Sequence, residues 1–261
     1  MILIKLGGSV ITDKTQYGAF NRERTARLCM EIKESGAEAL VVHGAGSFGH
    51  VLAKEFSIAE GSTGDPAQTM AAARVQHDVR RLSSMVVGEL LACGIPAVSV
   101  PPGSCFAADG GRLIVGDAEA IRASLRMGIM PVLLGDVVMD RSKGFCICSG
   151  DQVMEVLCGM LEPERSVFVS DIDGLYDRDP KRGPGAKLIE EVTPEALGGI
   201  DSESSVADVT GGVRAKAESM LRMCAGGGEC SIVNGTVPGR LRSILKGEPV
   251  TSTTARGGTR T

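Results

Sequence analysis

Met1-Ile2-Leu3-Ile4-Lys5-Leu6-Gly7-Gly8-Ser9 opens the chain as an apolar run of strand length, interrupted by one cation and closed by paired glycines. Residues 2–6 read as a strand and Gly7-Gly8 as the turn after it. A glycine turn lets backbone N–H groups approach phosphate oxygens without a Cβ in the way, so Lys5, Gly7, Gly8 and Ser9 form a candidate phosphate cradle. A plain tight turn would use the same two glycines. The segment is neither Gly-x-x-x-x-Gly-Lys-Ser nor Gly-x-Gly-x-x-Gly, so neither the P-loop nor the Rossmann fingerprint applies.

Outward from this point the pattern alternates. A helix is predicted over 21–35 and a strand over 39–43, followed by a second glycine-rich turn, His43-Gly44-Ala45-Gly46-Ser47-Phe48-Gly49-His50. This turn also stands between a strand and a helix, where the helix start exposes amides of partial positive charge. A loop over 61–66 precedes a long helix to about residue 93, with Val75, Val79, Leu82, Val86 and Leu90 at helical spacing. Strands are predicted at 97–100 and 130–134 with a helix at 117–127 between them, then a hairpin pairing 137–139 with 145–147. Ser149-Gly150-Asp151-Gln152 carries a capping-box signal for a helix to about 161. A strand at 166–170, a short helix at 193–197, a helix at 211–224, a final core strand at 230–233 and a helix near 239–245 complete the reading. Repeated crossovers imply an α/β fold, a three-layer αβα sandwich with a mostly parallel central sheet. Residues 1–261 read as one domain, with an acceptor-binding lobe at 1–162 and a nucleotide-binding lobe at 163–261 sharing the sheet.

Composition narrows the classes. The formal charge of −4 has no concentrated basic field, which excludes nucleic acid as a partner. No apolar run reaches the roughly 20 residues of a membrane span and the N-terminal run is too short for a signal peptide, so a cytoplasmic protein is expected. The chain holds eight cysteines without a Cys-x-x-Cys pair, read as reduced and structural. No His, Cys or carboxylate cluster has metal-ligand spacing, so no protein metal site is expected.

Two further segments join the glycine turns. They are Ser170-Asp171-Ile172-Asp173-Gly174-Leu175-Tyr176-Asp177-Arg178-Asp179-Pro180 and Asp208-Val209-Thr210-Gly211-Gly212-Val213-Arg214-Ala215-Lys216. In order and spacing the four motifs resemble the amino acid kinase superfamily over nearly the whole chain. Gly-Gly-Ser-x-Ile-Thr-x-Lys, ending at Lys14, and His-Gly-x-Gly-Ser-Phe-Gly-His, ending at His50, resemble the isopentenyl phosphate kinases within it.

The resemblance implies phosphoryl transfer from ATP, with Mg²⁺ arriving on the nucleotide, to an isoprenoid monophosphate. It implies that Lys5 and Lys14 bridge the migrating group and the acceptor, and that His50 donates to the acceptor phosphate. Ala45, Gly46, Ser149 and Gly150 would complete the acceptor site. The nucleotide would meet Lys5, Gly7, Gly8, Ser9, Gly46, Asp171, Tyr176, Gly211 and Lys216, with Asp171 touching it or organising the lysines. Such a site positions and neutralises charge and needs no general base, because the accepting phosphate oxygen is already ionised. A related branch acting on fosfomycin keeps a similar His, so a small phosphonate or acid acceptor is the alternative. A non-catalytic nucleotide or oxyanion binding module is the second alternative, against which Lys5, Lys14 and Lys216 argue. Relatives of this fold often pair, and a homodimer is expected by that analogy.

Overall fold

A computed structural model describes residues 1–13, 15–116, 118–178, 185–199 and 212–257. In chain order the first elements are β1 (Ile2–Leu6), α1 (Gly8–Ile11), α2 (Arg22–Ser35), β2 (Ala39–His43), α3 (His50–Glu55) and α4 (Pro66–Ala92). The middle of the chain forms β3 (Ala97–Ser99), α5 (Pro102–Cys105), β4 (Phe106–Asp109), β5 (Arg112–Val115), α6 (Glu119–Arg126), β6 (Met130–Leu134), β7 (Asp136–Asp140), β8 (Gly144–Cys148) and α7 (Gly150–Leu161). The remainder gives β9 (Arg165–Ser170), β10 (Glu191–Val192), α8 (Gly212–Cys224), β11 (Glu229–Asn234), α9 (Arg240–Leu245) and β12 (Ser252–Arg256).

Helix limits follow local chemistry. Asn21 caps α2 by accepting from the Arg24 amide, and Gly36, at φ 68°, closes it in the left-handed region that favours glycine. Asp65 caps α4 ahead of Pro66, whose missing N–H costs nothing at a first helical position. Ser149 and Gln152 form the expected reciprocal capping box on α7.

The main sheet runs β10-β12-β11-β9-β1-β2-β6-β3, parallel throughout its centre, with β12 antiparallel to β11. Its strands alternate between two cores. Ile2, Ile4, Leu6, Val41, Val132, Val167 and Val169 face one, with α2, α4 and α9; Leu3, Leu40, Val42, Leu133, Phe168 and Ile232 face the other, with α6, α7 and α8. Burial on both faces explains why these strands read as continuous apolar runs. The three-layer αβα architecture is thus present.

The predicted 137–147 hairpin exists as β7 and β8, but it belongs to a separate four-stranded sheet, β5-β4-β7-β8. The expected last core strand, β11, is followed by β12, whose Ser-Thr-Thr-Ala-Arg sequence has no apolar run. Its polar side chains pair inside the sheet: Thr254 Oγ1 lies 3.0 Å from Ser231 Oγ, and Thr253 Oγ1 donates to the Ile189 carbonyl at 2.6 Å. Hydroxyls satisfied this way bury at little cost.

Candidate active site

The chain winds outward from β1 in both directions, to β2 on one side and β9 on the other, which opens a crevice past the C-terminal ends of β1 and β9. Both glycine turns lie at this end, backbone against backbone. A Cβ on Gly8 would fall 2.5 Å from the Gly46 nitrogen, and one on Gly44 would fall 2.7 Å from the Gly8 nitrogen. Gly46 itself has φ +50°, and a Cβ there would meet Thr12 Oγ1 at 2.2 Å. Thr12 ties the two turns, donating to the Gly8 carbonyl at 2.7 Å and accepting from the Ser47 amide at 3.1 Å. Only glycine permits this contact, which leaves two sets of turn amides at one place.

Lys5 occupies a position in β1 that faces the second core, where its parallel neighbour is Phe168. Burial of an ammonium there requires a partner, and α7 supplies it: Asp151 Oδ1 lies 3.0 Å from Lys5 Nζ and also accepts from Lys216 Nζ on α8. Lys216 Nζ stands 3.3 Å from the centroid of the Phe168 ring and Lys5 Nζ 5.7 Å, so one aromatic face supports both cations. Burial pushes Lys216 down to about 8, reinforced by repulsion from Lys5 and opposed by Asp151. Burial alone would raise the Asp151 carboxyl, but Lys5 and Lys216 outweigh it and hold the group well below the usual carboxylate range. The result is a half-buried group of two cations and one anion, with net positive charge beside the glycine turns.

The pattern of the amino acid kinase family matches residues 1–234. The chain belongs to the amino acid kinase family. It is 39% identical to the isopentenyl phosphate kinase of Methanothermobacter thermautotrophicus over 98% of this chain and 99% of that protein. It is 35% identical to the isopentenyl phosphate kinase of Thermoplasma acidophilum over 94% of this chain and 96% of that protein. A crystallographic isopentenyl phosphate kinase superposes with a TM-score of 0.86 at 36% identity, covering 98% of this chain and 99% of that one.

Set in this amino acid kinase fold, the residues expected from sequence fall into distinct places. Gly7, Gly8 and Ser9 follow β1, and Gly7 N continues the ladder to the Val169 carbonyl at 2.8 Å. Ser9 Oγ donates to Asp171 Oδ1 at 2.8 Å across the crevice. Asp171 therefore meets the first glycine turn, and α7 brings Asp151 to Lys5 and Lys216. The sequence offered Asp171 for touching the nucleotide or organising the lysines and did not single out Asp151. Gly150 is held close: a Cβ there would lie 3.1 Å from Lys5 Cε and 3.4 Å from the His43 carbonyl. Ser149 spends its side chain on the α7 cap.

Ala45 and Gly46 form the second turn, and His50 opens α3 exposed to solvent. His43 is fully buried, with Nδ1 3.0 Å from the Gly44 carbonyl, and burial pushes it down to about 4, so it is neutral at physiological pH. Tyr176 forms an antiparallel bridge with Leu188. Lys14 and Gly211 lie outside the described residues.

Two members of the site were missed from sequence. Asp151 was visible only as a residue of the Ser149-Gly150-Asp151-Gln152 cap, and an acidic first-turn residue is ordinary helix chemistry. Phe168 was visible only as one apolar residue of a buried strand. The signal that could have found both is Lys5 itself, a cation at an inward strand position that demands an anion and a polarisable surface nearby. The apolar face of α4 is core: Val75, Val79, Leu82 and Val86 are all buried in one cluster with Phe48, Ile58, Val137 and Phe145.

Proposed function

We propose that the protein transfers the terminal phosphoryl group of Mg-ATP to isopentenyl phosphate, giving isopentenyl diphosphate and ADP. The observation that carries this reading is the near-full-length similarity to isopentenyl phosphate kinases, in a chain whose own glycine turns and lysine-aspartate-lysine group lie at one crevice. In this reading an ionised oxygen of the acceptor phosphate attacks the γ-phosphorus in line, and the bond to the bridging oxygen of ADP breaks. No side chain needs to take a proton.

Each residue then has a physical task. Turn amides at Gly8, Ser9 and Gly46 hold the β- and γ-phosphates, where preorganised dipoles need no rearrangement as charge shifts. Lys5 and Lys14 neutralise the approach of two anions, and Lys216 meets the nucleotide phosphates. An incoming polyphosphate competes with Asp151 for the two lysines, so Asp151 keeps them charged and aimed before substrate arrives. His50, with Ala45, Gly46, Ser149 and Gly150, receives the acceptor phosphate. Asp171, Tyr176 and Gly211 border the nucleotide. Asp151 and Asp171 are already engaged by lysines and Ser9, which favours Mg²⁺ entering as the ATP complex and keeping water ligands.

The division at about residue 162 assigns acceptor chemistry to the first lobe and nucleotide chemistry to the second. A homodimer through α4 and β3 is supported by the open sheet edge at β3 and by Leu91 and Val98, which are exposed there. A cytoplasmic location is part of the same proposal; among the described residues no helix is long and apolar enough to cross a membrane.

Phosphorus NMR of the purified protein with Mg-ATP and, separately, isopentenyl phosphate, dimethylallyl phosphate, fosfomycin, carbamate or N-acetylglutamate tests the substrate. New diphosphate resonances restricted to the isoprenoid monophosphates support the proposal. Turnover of another acceptor replaces the substrate and keeps the mechanism, and silence with all five points to a binding module.

A further inference from the structure

Between the first glycine turn and α2 the chain makes an excursion and returns. Thr12 and Phe20 form an antiparallel bridge at its base, and the Asp13 amide donates to the Ala19 carbonyl at 2.9 Å. Inside it, Asp13 Oδ1 accepts from the Thr15 amide at 2.8 Å and from the Thr15 hydroxyl at 2.7 Å, a local turn. The Gly18 amide reaches the Ser47 carbonyl at 3.4 Å, which lays the loop against the second glycine turn. Lys14 is carried in this loop by sequence.

The loop's far side ends on α4. Tyr17, half exposed, donates its hydroxyl to Asp78 Oδ2, 61 positions along the chain. Asp78 is 1% exposed, in a helix whose neighbouring inward residues are Val75, Val79 and Leu82. Its carboxylate also takes Arg74 Nε at 3.1 Å and His77 Nδ1 at 2.8 Å, with Arg81 Nη1 at 3.6 Å. Those three partners come from α4 itself. Tyr17 is the partner that comes from outside α4, so its bond supports the buried carboxylate and at the same time gives the loop a fixed point.

We infer that Tyr17 and Asp78 are positioning residues, a latch that holds residues 13 and 15–20 against the second glycine turn and acts on turnover through Lys14, their neighbour in sequence. The inference rests on the proposed role of Lys14 at the transferred phosphate. Placement errors on the scale of an ångström cost catalysis steeply, so a loosened loop lowers turnover even with every reacting group present.

The test compares Tyr17→Phe, Asp78→Asn, Lys14→Ala and the Lys14→Ala/Tyr17→Phe double variant, with isopentenyl phosphate as acceptor. Tyr17→Phe keeps the ring and removes only the donor at a half-exposed site, so it folds even where Asp78→Asn does not. Its expected behaviour is kcat lower by about tenfold with KM for ATP within about twofold of wild type. In the double variant Tyr17→Phe should add no further loss to Lys14→Ala, because the latch acts through that lysine. Hydrogen exchange read on the peptide spanning 13–20 gives a measure that needs no turnover: the loop amides should exchange at least about tenfold faster in Tyr17→Phe. Unchanged exchange overturns the latch whatever the acceptor proves to be. Independent, multiplicative losses in the double variant overturn its action through Lys14, and full turnover by Lys14→Ala alone overturns the reading of Lys14 on which the inference rests.

Discussion

Lys216 Nζ stands 3.3 Å from the centre of the Phe168 ring while its charge is shared with Asp151. An ammonium held between an aromatic face and a carboxylate stays charged only because those two neighbours replace part of its lost hydration.

Burial first, and Lys5 second, bring Lys216 down to about 8 from an ordinary 10.5. Between those values the unfolded chain binds more protons than the folded one, so folding stability rises with pH through this window, and the cost of the buried charge is fully present below pH 8. In denaturant titrations wild type should gain stability relative to Lys216→Met as pH rises from 8 to 10.5. Over the same range kcat/KM for ATP should fall above pH 8, since that parameter reports the free enzyme and the neutral amine attracts phosphate less. A flat kcat/KM profile to pH 10 would remove Lys216 from nucleotide contact.

Asp151→Asn keeps the shape of the site and removes the anion between two cations. Lys5 and Lys216 are then uncompensated, and Lys216 moves further down. Steady-state kinetics should show kcat lower by a factor on the order of 10²–10³, similar to losing a preorganised charge-stabilising group. Wild type should also lose stability as pH falls below the ordinary carboxylate value near 3.9, where the unfolded chain takes up a proton that folded Asp151 resists, and the Asn variant should not show that component.

Gly8→Ala and Gly150→Ala should fail differently. At Gly8 the new Cβ meets the Gly46 backbone at 2.5 Å, and backbone cannot rotate away, so a stability loss of about 1–3 kcal/mol is expected in chemical denaturation. At Gly150 the nearest atom is Lys5 Cε, at 3.1 Å near the free end of a flexible side chain. That variant should melt near wild type and yet turn over slowly, because Lys5 yields. Equal melting temperatures for the two variants would contradict the close approach of the glycine turns.

His50→Ala removes an exposed side chain at the start of α3. KM for the acceptor phosphate should rise by roughly tenfold, the scale of one hydrogen bond to a charged group, with KM for ATP unchanged. An equal rise in both constants would take His50 out of the acceptor site.

The parts of this fold written in local chemistry were legible. Paired glycines after a strand, caps at Asn21, Asp65 and Ser149, and apolar runs buried on both faces all state their structure within a few residues. The parts decided by distant neighbours were not. β12 is polar and becomes a sheet strand because Ser231 and the Ile189 carbonyl satisfy its hydroxyls. β4 and β5 flank Gly110-Gly111, a hairpin signal too short to stand out before β7 and β8 are seen beside them. In the site, Lys5 and Lys216 were expected from motif, but Asp151 couples them only because α7 packs against both β1 and α8. A carboxylate's partner across 65 residues leaves no local trace.

β1 precedes both of its partners in the chain and is central in the finished sheet, paired with β2 on one edge and with β9 on the other. During synthesis its first edge is covered early, while the second waits for Arg165–Ser170. At about 5–20 residues per second that interval is roughly 8–30 s, during which the second edge of an apolar strand keeps its hydrogen-bonding groups open. The burden of keeping the nascent chain from aggregating therefore falls on this strand, and Lys5, the cation at its centre, also serves as its gatekeeper until Asp151 and β9 arrive.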